Sequence, residues 1–179
     1  MGFSGAIQSC FSKYITFAGR ASRAEYWFFF LFLVLGSLAT GLVDALWFHN
    51  LAEIDENTVL VELEPHETPL SSLFYLVTFL PHLAVAWRRM HDTGRSGWMA
   101  LLPMLISAAT LGVFVVGIGA ADFFAGGLMD KMLTGITLTI LIPMIALLII
   151  SPLLVFWWLI RPSQTGPNSY GPNPHEVTP

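Results

Sequence analysis

His91 and Asp92 stand side by side in the segment Arg88-Arg89-Met90-His91-Asp92-Thr93-Gly94-Arg95-Ser96-Gly97-Trp98. A histidine oriented by a carboxylate is the pairing that general acid–base catalysis uses. Adjacent side chains rarely point the right way for it, and only Ser96 and Thr93 stand nearby as nucleophiles, so catalysis has little support. A metal site has less, because His82, His91 and Asp92 lack compact ligand spacing and Cys10 is the single cysteine. That lone cysteine also rules out an intramolecular disulfide. Walker, Rossmann and zinc-finger motifs are absent. The expectation is a non-enzymatic chain with no catalytic residue, no cofactor, no metal and no nucleic-acid partner.

The arginines carry a stronger signal. Arg20 and Arg23 lie in Gly19-Arg20-Ala21-Ser22-Arg23-Ala24-Glu25-Tyr26-Trp27, and Arg88, Arg89 and Arg95 lie in the His91-Asp92 segment. Glu25 and Asp92 are the two acids among them. Asp92 is expected to pair with Arg23, and Glu25 with Arg88 or Arg89. The surplus, Arg20, Arg89 and Arg95, is then open to an outside anion, since the planar guanidinium fork suits phosphate and carboxylate. The candidate anion- or partner-binding set is therefore Arg20, Arg23, Arg88, Arg89, Asp92 and Arg95. The blander reading is topological: each arginine meets bulk anionic lipid for about 1 kcal/mol. Around Arg95, Gly94 and Gly97 read as chain-reversing positions, and small neighbours leave room for a headgroup against the exposed amides of the turn. Trp87 and Trp98 frame the segment like interfacial anchors.

These residues are held by an apolar scaffold. The 179 residues are 55% hydrophobic and 11% charged. Soluble domains carry about 25% charged residues, so wide apolar surface would be left in water. Disorder is excluded by the 13% aromatic content. The composition reads as an all-α integral membrane protein. Four apolar runs, 26–48, 70–87, 98–121 and 132–160, reach the roughly 17 to 25 residues that a spanning helix needs. Pro81, Pro103, Pro143 and Pro152 sit inside them, which membrane helices tolerate when neighbours satisfy the freed carbonyls. Ahead of the first run, in the juxtamembrane segment 1–25, Ile7, Cys10, Phe11, Tyr14, Ile15 and Ala18 recur at helical spacing. They predict an amphipathic helix, either interfacial or packed on the end of the bundle. The pairs Ser37–Gly41, Ala108–Gly112 and Gly135–Thr139 would allow close helix contact, within one chain or in a homo-oligomer.

Charge sets the orientation. The connection from His49 to Pro69 holds six acids, Glu53, Asp55, Glu56, Glu62, Glu64 and Glu67, and no lysine or arginine. Lysine and arginine divide seven to one between the two sides, Lys131 being the one. By the positive-inside rule both termini and the 88–97 connection are cytoplasmic, with Asn57 and Gly126 on the outer face. The tail, 161–179, is rich in Pro, Gly and Asn and is expected to be irregular and surface-lying.

A third polar segment, Gly166-Pro167-Asn168-Ser169-Tyr170-Gly171-Pro172-Asn173-Pro174, lies in that tail. Together, in order, the three segments resemble the pattern of the domain of unknown function 805 family: GR-x-SR-x-EYW, then RR-x-HD-x-GRSGW, then G-x-N-x-[YF]-G-x-x-P. The resemblance covers nearly the whole chain. It implies a small bacterial inner-membrane protein and no assigned activity. A cytoplasmic arginine-rich face binding anionic lipid or a protein partner is the leading function. The alternative is a solute or ion transport component acting as an oligomer, since spans with so little charge make a poor pore alone. The three segments are also expected to pack together, with Asn168 and Tyr170 as hydrogen-bonding closures.

Overall fold

The computed structural model describes residues 1–47, 68–123, 127–174 and 176. The acidic connection (Glu53, Asp55, Glu56, Glu62, Glu64, Glu67), Phe48 and the outer-face markers Asn57 and Gly126 lie outside them. Among the described residues the regular elements are all helices. α1 is Phe3–Ser12, α2 Arg23–Trp47 and α3 Pro69–Asp92; a short 3-10 turn, Gly97–Leu101, leads into α4, Leu102–Phe123, and α5 is Leu128–Ile160. Four helices are long and apolar enough to cross a membrane, over Arg23–Leu46, Pro69–Asp92, Gly97–Gly117 and Lys131–Ile160. Four helices of membrane-spanning length are thus present, as expected. The second is the one that differs most: its helix continues through Arg88, Arg89, Met90, His91 and Asp92, which the sequence reading placed in a connection.

The residues form two compact units: Met1–Thr16 with Ala24–Val85, and Phe17–Arg23 with Ala86–Pro179. In the first, α1 packs by Phe11, whose ring meets Phe29 at 5.8 Å and Phe32 at 6.0 Å edge-on. Ser9 Oγ donates to Glu25 Oε1 at 3.0 Å, and Lys13 Nζ stands 3.9 Å from the same oxygen. α1 ends at Ser12, so Ile15 and Ala18, expected on its apolar face, lie beyond it and are exposed.

Tyr14 has a particular task. Pro81 has no amide hydrogen to give the carbonyl of Val77, four residues back in α3. The Tyr14 hydroxyl donates to that carbonyl at 2.6 Å. Asp44 does similar work at the other end of α3, which opens with Pro69, the residue suited to a first helical position. Its carboxylate accepts the amides of Leu70 at 3.1 Å and Ser71 at 2.8 Å, two of the donors every helix start leaves bare. Gly36 of α2 makes room for the Phe74 ring of α3, since a Cβ there would stand 2.2 Å from Phe74 Cζ.

In the second unit α4 packs along α5. The tight point is Gly117, where a Cβ would meet Thr137 Cγ2 at 2.3 Å. Gly112 and Gly135 face open space, so of the two contacts expected for them, within one chain or in a homo-oligomer, they do not serve the one within the chain.

Candidate functional site: a buried arginine–aspartate knot

The site grows from the end of α3. Any helix ends with carbonyls that lack partners within it. Here Gly94 takes φ +75°, a left-handed conformation that suits glycine. The turn then closes as a Schellman motif: the Arg95 amide donates to Met90 O at 3.0 Å and the Gly94 amide to His91 O at 3.0 Å. These turn amides, expected to be open to a headgroup, are thereby engaged within the chain. Gly97 is needed for a different reason from chain reversal: a Cβ there would lie 2.0 Å from Trp87 Nε1.

Two distant segments supply the rest. The Ala21 amide donates to Arg88 O at 3.1 Å and the Gln164 amide to Asp92 O at 2.9 Å. Asn168 Nδ2 donates to His91 O at 2.9 Å. The first and third polar segments are thus bound to the middle one through its own helix end. The tail is irregular, as expected, but it is not merely surface-lying, since Asn173 is buried and the Tyr170 ring stacks on His91 at 3.8 Å.

Asp92 ties the charges. Its side chain is fully enclosed, as is that of Arg89, and that of Arg20 is 1% exposed. Oδ1 accepts from Arg20 Nε at 3.0 Å, and Oδ2 accepts from Arg89 Nη1 and Ser163 Oγ. Arg89 and Asp92 are three residues apart, so one helical face brings them together. Arg89 reaches onward to the end of α5, donating from Nε to Leu159 O at 3.1 Å and from Nη2 to Arg161 O. A cation at a helix C-terminus suits both its bare carbonyls and its dipole. Arg20 organises the tail: it donates to Gln164 O at 2.6 Å, Gly166 O at 2.8 Å and Gly171 O at 3.4 Å.

This wiring corrects the expected pairing. Asp92 is held by Arg20 and Arg89, and Arg23 is not among its partners. Arg23, the first residue of α2, is exposed. Arg20 and Arg89 are accordingly not surplus. Two helix ends and a folded-back tail offer so many carbonyls that buried guanidiniums are the fitting donors, and Asp92 neutralises them. Arg88 is buried beside them. His91 Nδ1 meets Gly19 O at 3.0 Å rather than a carboxylate. Among the described residues no group of three or more His, Cys, Asp or Glu is placed to hold a metal ion.

Arg95 lies apart from the knot. Its Nη1 donates to Thr93 O at 3.0 Å, and its Cζ stands 5.0 Å from the Trp158 ring centre. Arg161, which the candidate set omitted, has its Cζ 4.6 Å over Trp157. Burial, and then the like charge of Arg161, lower the pKa of Arg95 from the usual arginine value. The sequence signal for Arg161 was there: an arginine straight after a span that ends in two tryptophans. Ser163 and Gln164 carried no comparable mark.

A set of membrane-length helices whose polar segments close one buried ion-pair knot defines a multi-pass membrane protein class. The chain belongs to the family described as "Protein of unknown function (DUF805)", whose pattern matches residues 14–172. It is 37% identical over 90 residues to the Escherichia coli K12 "Inner membrane protein YhaH", covering 50% of this chain and 64% of that one. To the K12 "Inner membrane protein YhaI" it is 42% identical over 95 residues, covering 52% of this chain and 66% of that one. The matched stretch thus spans just under two thirds of each relative's length. No solved structure matches.

Proposed function

We propose that the protein is a non-enzymatic component of the bacterial inner membrane, with both termini cytoplasmic, whose arginine-bearing face binds anionic lipid headgroups. The observation that carries this is the division of the cations. Arg20 and Arg89 are enclosed with Asp92, while Arg23 and Arg161 are exposed and Arg95 is half-buried. With Asp92 committed to two arginines and His91 stacked beneath Tyr170, the polar segments read as architecture rather than as acid–base machinery. The remaining cations are what the face offers to a ligand. Each is worth about 1 kcal/mol beside an anionic surface. The relatives' names, both "Inner membrane protein", support the location. The orientation rests on the seven-to-one division of lysine and arginine. In this reading α1 lies along the cytoplasmic interface.

A ligand that binds only the folded state raises the melting temperature. The full chain in lipid nanodiscs should melt higher when phosphatidylglycerol replaces part of the phosphatidylcholine, and less so at high salt. Equal melting temperatures would overturn the headgroup reading. Orientation is tested separately. Asn57→Cys, in a Cys10→Ser background, should react with an impermeant thiol reagent from outside; reaction only after the membrane is broken would reverse the topology.

A further inference from the structure

We propose that Arg95 and Arg161, backed by Trp158 and Trp157, form a site for the phosphate of an anionic phospholipid. This deepens the headgroup reading above and rests on it.

Both guanidiniums lie against indole rings, at 5.0 Å from Trp158 and 4.6 Å from Trp157. A guanidinium held over an indole by cation–π attraction keeps N–H groups free to donate elsewhere. Arg95 donates once, to Thr93 O, and the Arg161 side chain makes no hydrogen bond to a described residue. Neither stands in an ion pair with a described carboxylate, in contrast to Arg20 and Arg89. The two guanidiniums stand against consecutive indoles of α5, and after burial the like charge of Arg161 adds to the lowering of the Arg95 pKa. An anion received by both forks would relieve that repulsion, and a phosphate has the oxygens to accept charge-assisted bonds from each.

The surroundings select a lipid over a soluble phosphate. On α5, the turns leading to Arg161 expose Leu153 at 64%, Phe156 at 51%, Trp157 at 53% and Ile160 at 44%. An acyl chain can lie along that apolar helix surface while its phosphate meets the arginines at its end. Tryptophans closing an apolar span are also where headgroups sit.

The test uses the full chain in neutral detergent. It is mixed with dioleoylphosphatidylglycerol or dioleoylphosphatidylcholine, and bound lipid is counted by native mass spectrometry. Wild type should retain one phosphatidylglycerol in clear preference to phosphatidylcholine. Arg95→Gln and Arg161→Gln should each weaken that retention about fivefold. Arg161→Lys should restore it only in part, because lysine keeps the charge without the two-donor edge. Both Gln variants leave the backbone carbonyls of the knot in place, and unchanged melting temperatures would show that they fold. Retention equal to wild type in R95Q and R161Q, with loss in Arg23→Gln, would overturn this site and leave the broader headgroup reading standing. No preference for phosphatidylglycerol in any form would overturn both. Displacement of the lipid by inorganic phosphate alone would overturn the lipid assignment in favour of a soluble anion.

Discussion

Replacing Asp92 by Asn changes almost no volume and removes one charge from the centre of the knot. The carboxylate is fully enclosed and accepts from Arg20 Nε at 3.0 Å, from Arg89 Nη1 and from Ser163 Oγ. The amide keeps one acceptor oxygen and turns an NH₂ group toward donors where the other oxygen was. Two buried guanidiniums then lose their compensating charge. Breaking a buried pair from one side costs about 3–5 kcal/mol. The lower end applies here, because Arg20 keeps Gln164 O and Gly166 O, and Arg89 keeps Leu159 O and Arg161 O. The expected loss is about 3 kcal/mol. It can be read from reversible unfolding in mixed micelles of mild detergent and dodecyl sulfate. A loss below about 1 kcal/mol, the range of an exposed pair, would refute the reasoning.

Gly94→Ala places a Cβ at φ +75°, 2.6 Å from Gln164 Oε1, and should cost about 1–2 kcal/mol in the same unfolding measurement. Asp44→Ala strips the start of α3 of its acceptor; about 1 kcal/mol of stability should go, and the amides of Leu70 and Ser71 should lose hydrogen-exchange protection. Tyr14→Phe leaves Val77 O without its hydroxyl partner and should lower stability by about 1 kcal/mol, whereas Ile15→Ala, on an exposed side chain, should leave it unchanged.

Periodicity and hydropathy were enough to find the four spans, because length and apolar content are properties of a segment by itself. The end of α3 was misplaced for the same reason. Arg88 to Asp92 look like a polar connection, yet a helix continues through polar residues when its carbonyls find partners, and here those come from Ala21, Gln164 and Asn168. That the three polar segments meet was readable from their shared side and complementary chemistry. Which arginine meets Asp92 was not. Arg20 and Arg23 are three residues apart and chemically identical, and only the folded-back tail, with its carbonyls at Gln164 and Gly166, selects Arg20. The role of Asp44 was not legible either, since nothing in sequence places it over the amides of Leu70 and Ser71. The glycines show the same limit. Small residues four apart pointed to Gly112 and Gly135, while the tight approaches fall at Gly36 and Gly117, where a particular Phe or Thr sits opposite.

The central claim is that Arg20 and Asp92, 72 residues apart, are energetically one unit. A double-mutant cycle of Arg20→Gln and Asp92→Asn, read by unfolding in mixed micelles, tests it directly. Residues in one buried network show coupling of about 0.5–3 kcal/mol. The account predicts the upper part of that range, with the double variant clearly more stable than the sum of the single losses implies. Losses that add within about 0.5 kcal/mol would contradict it, because they are what independent sites give.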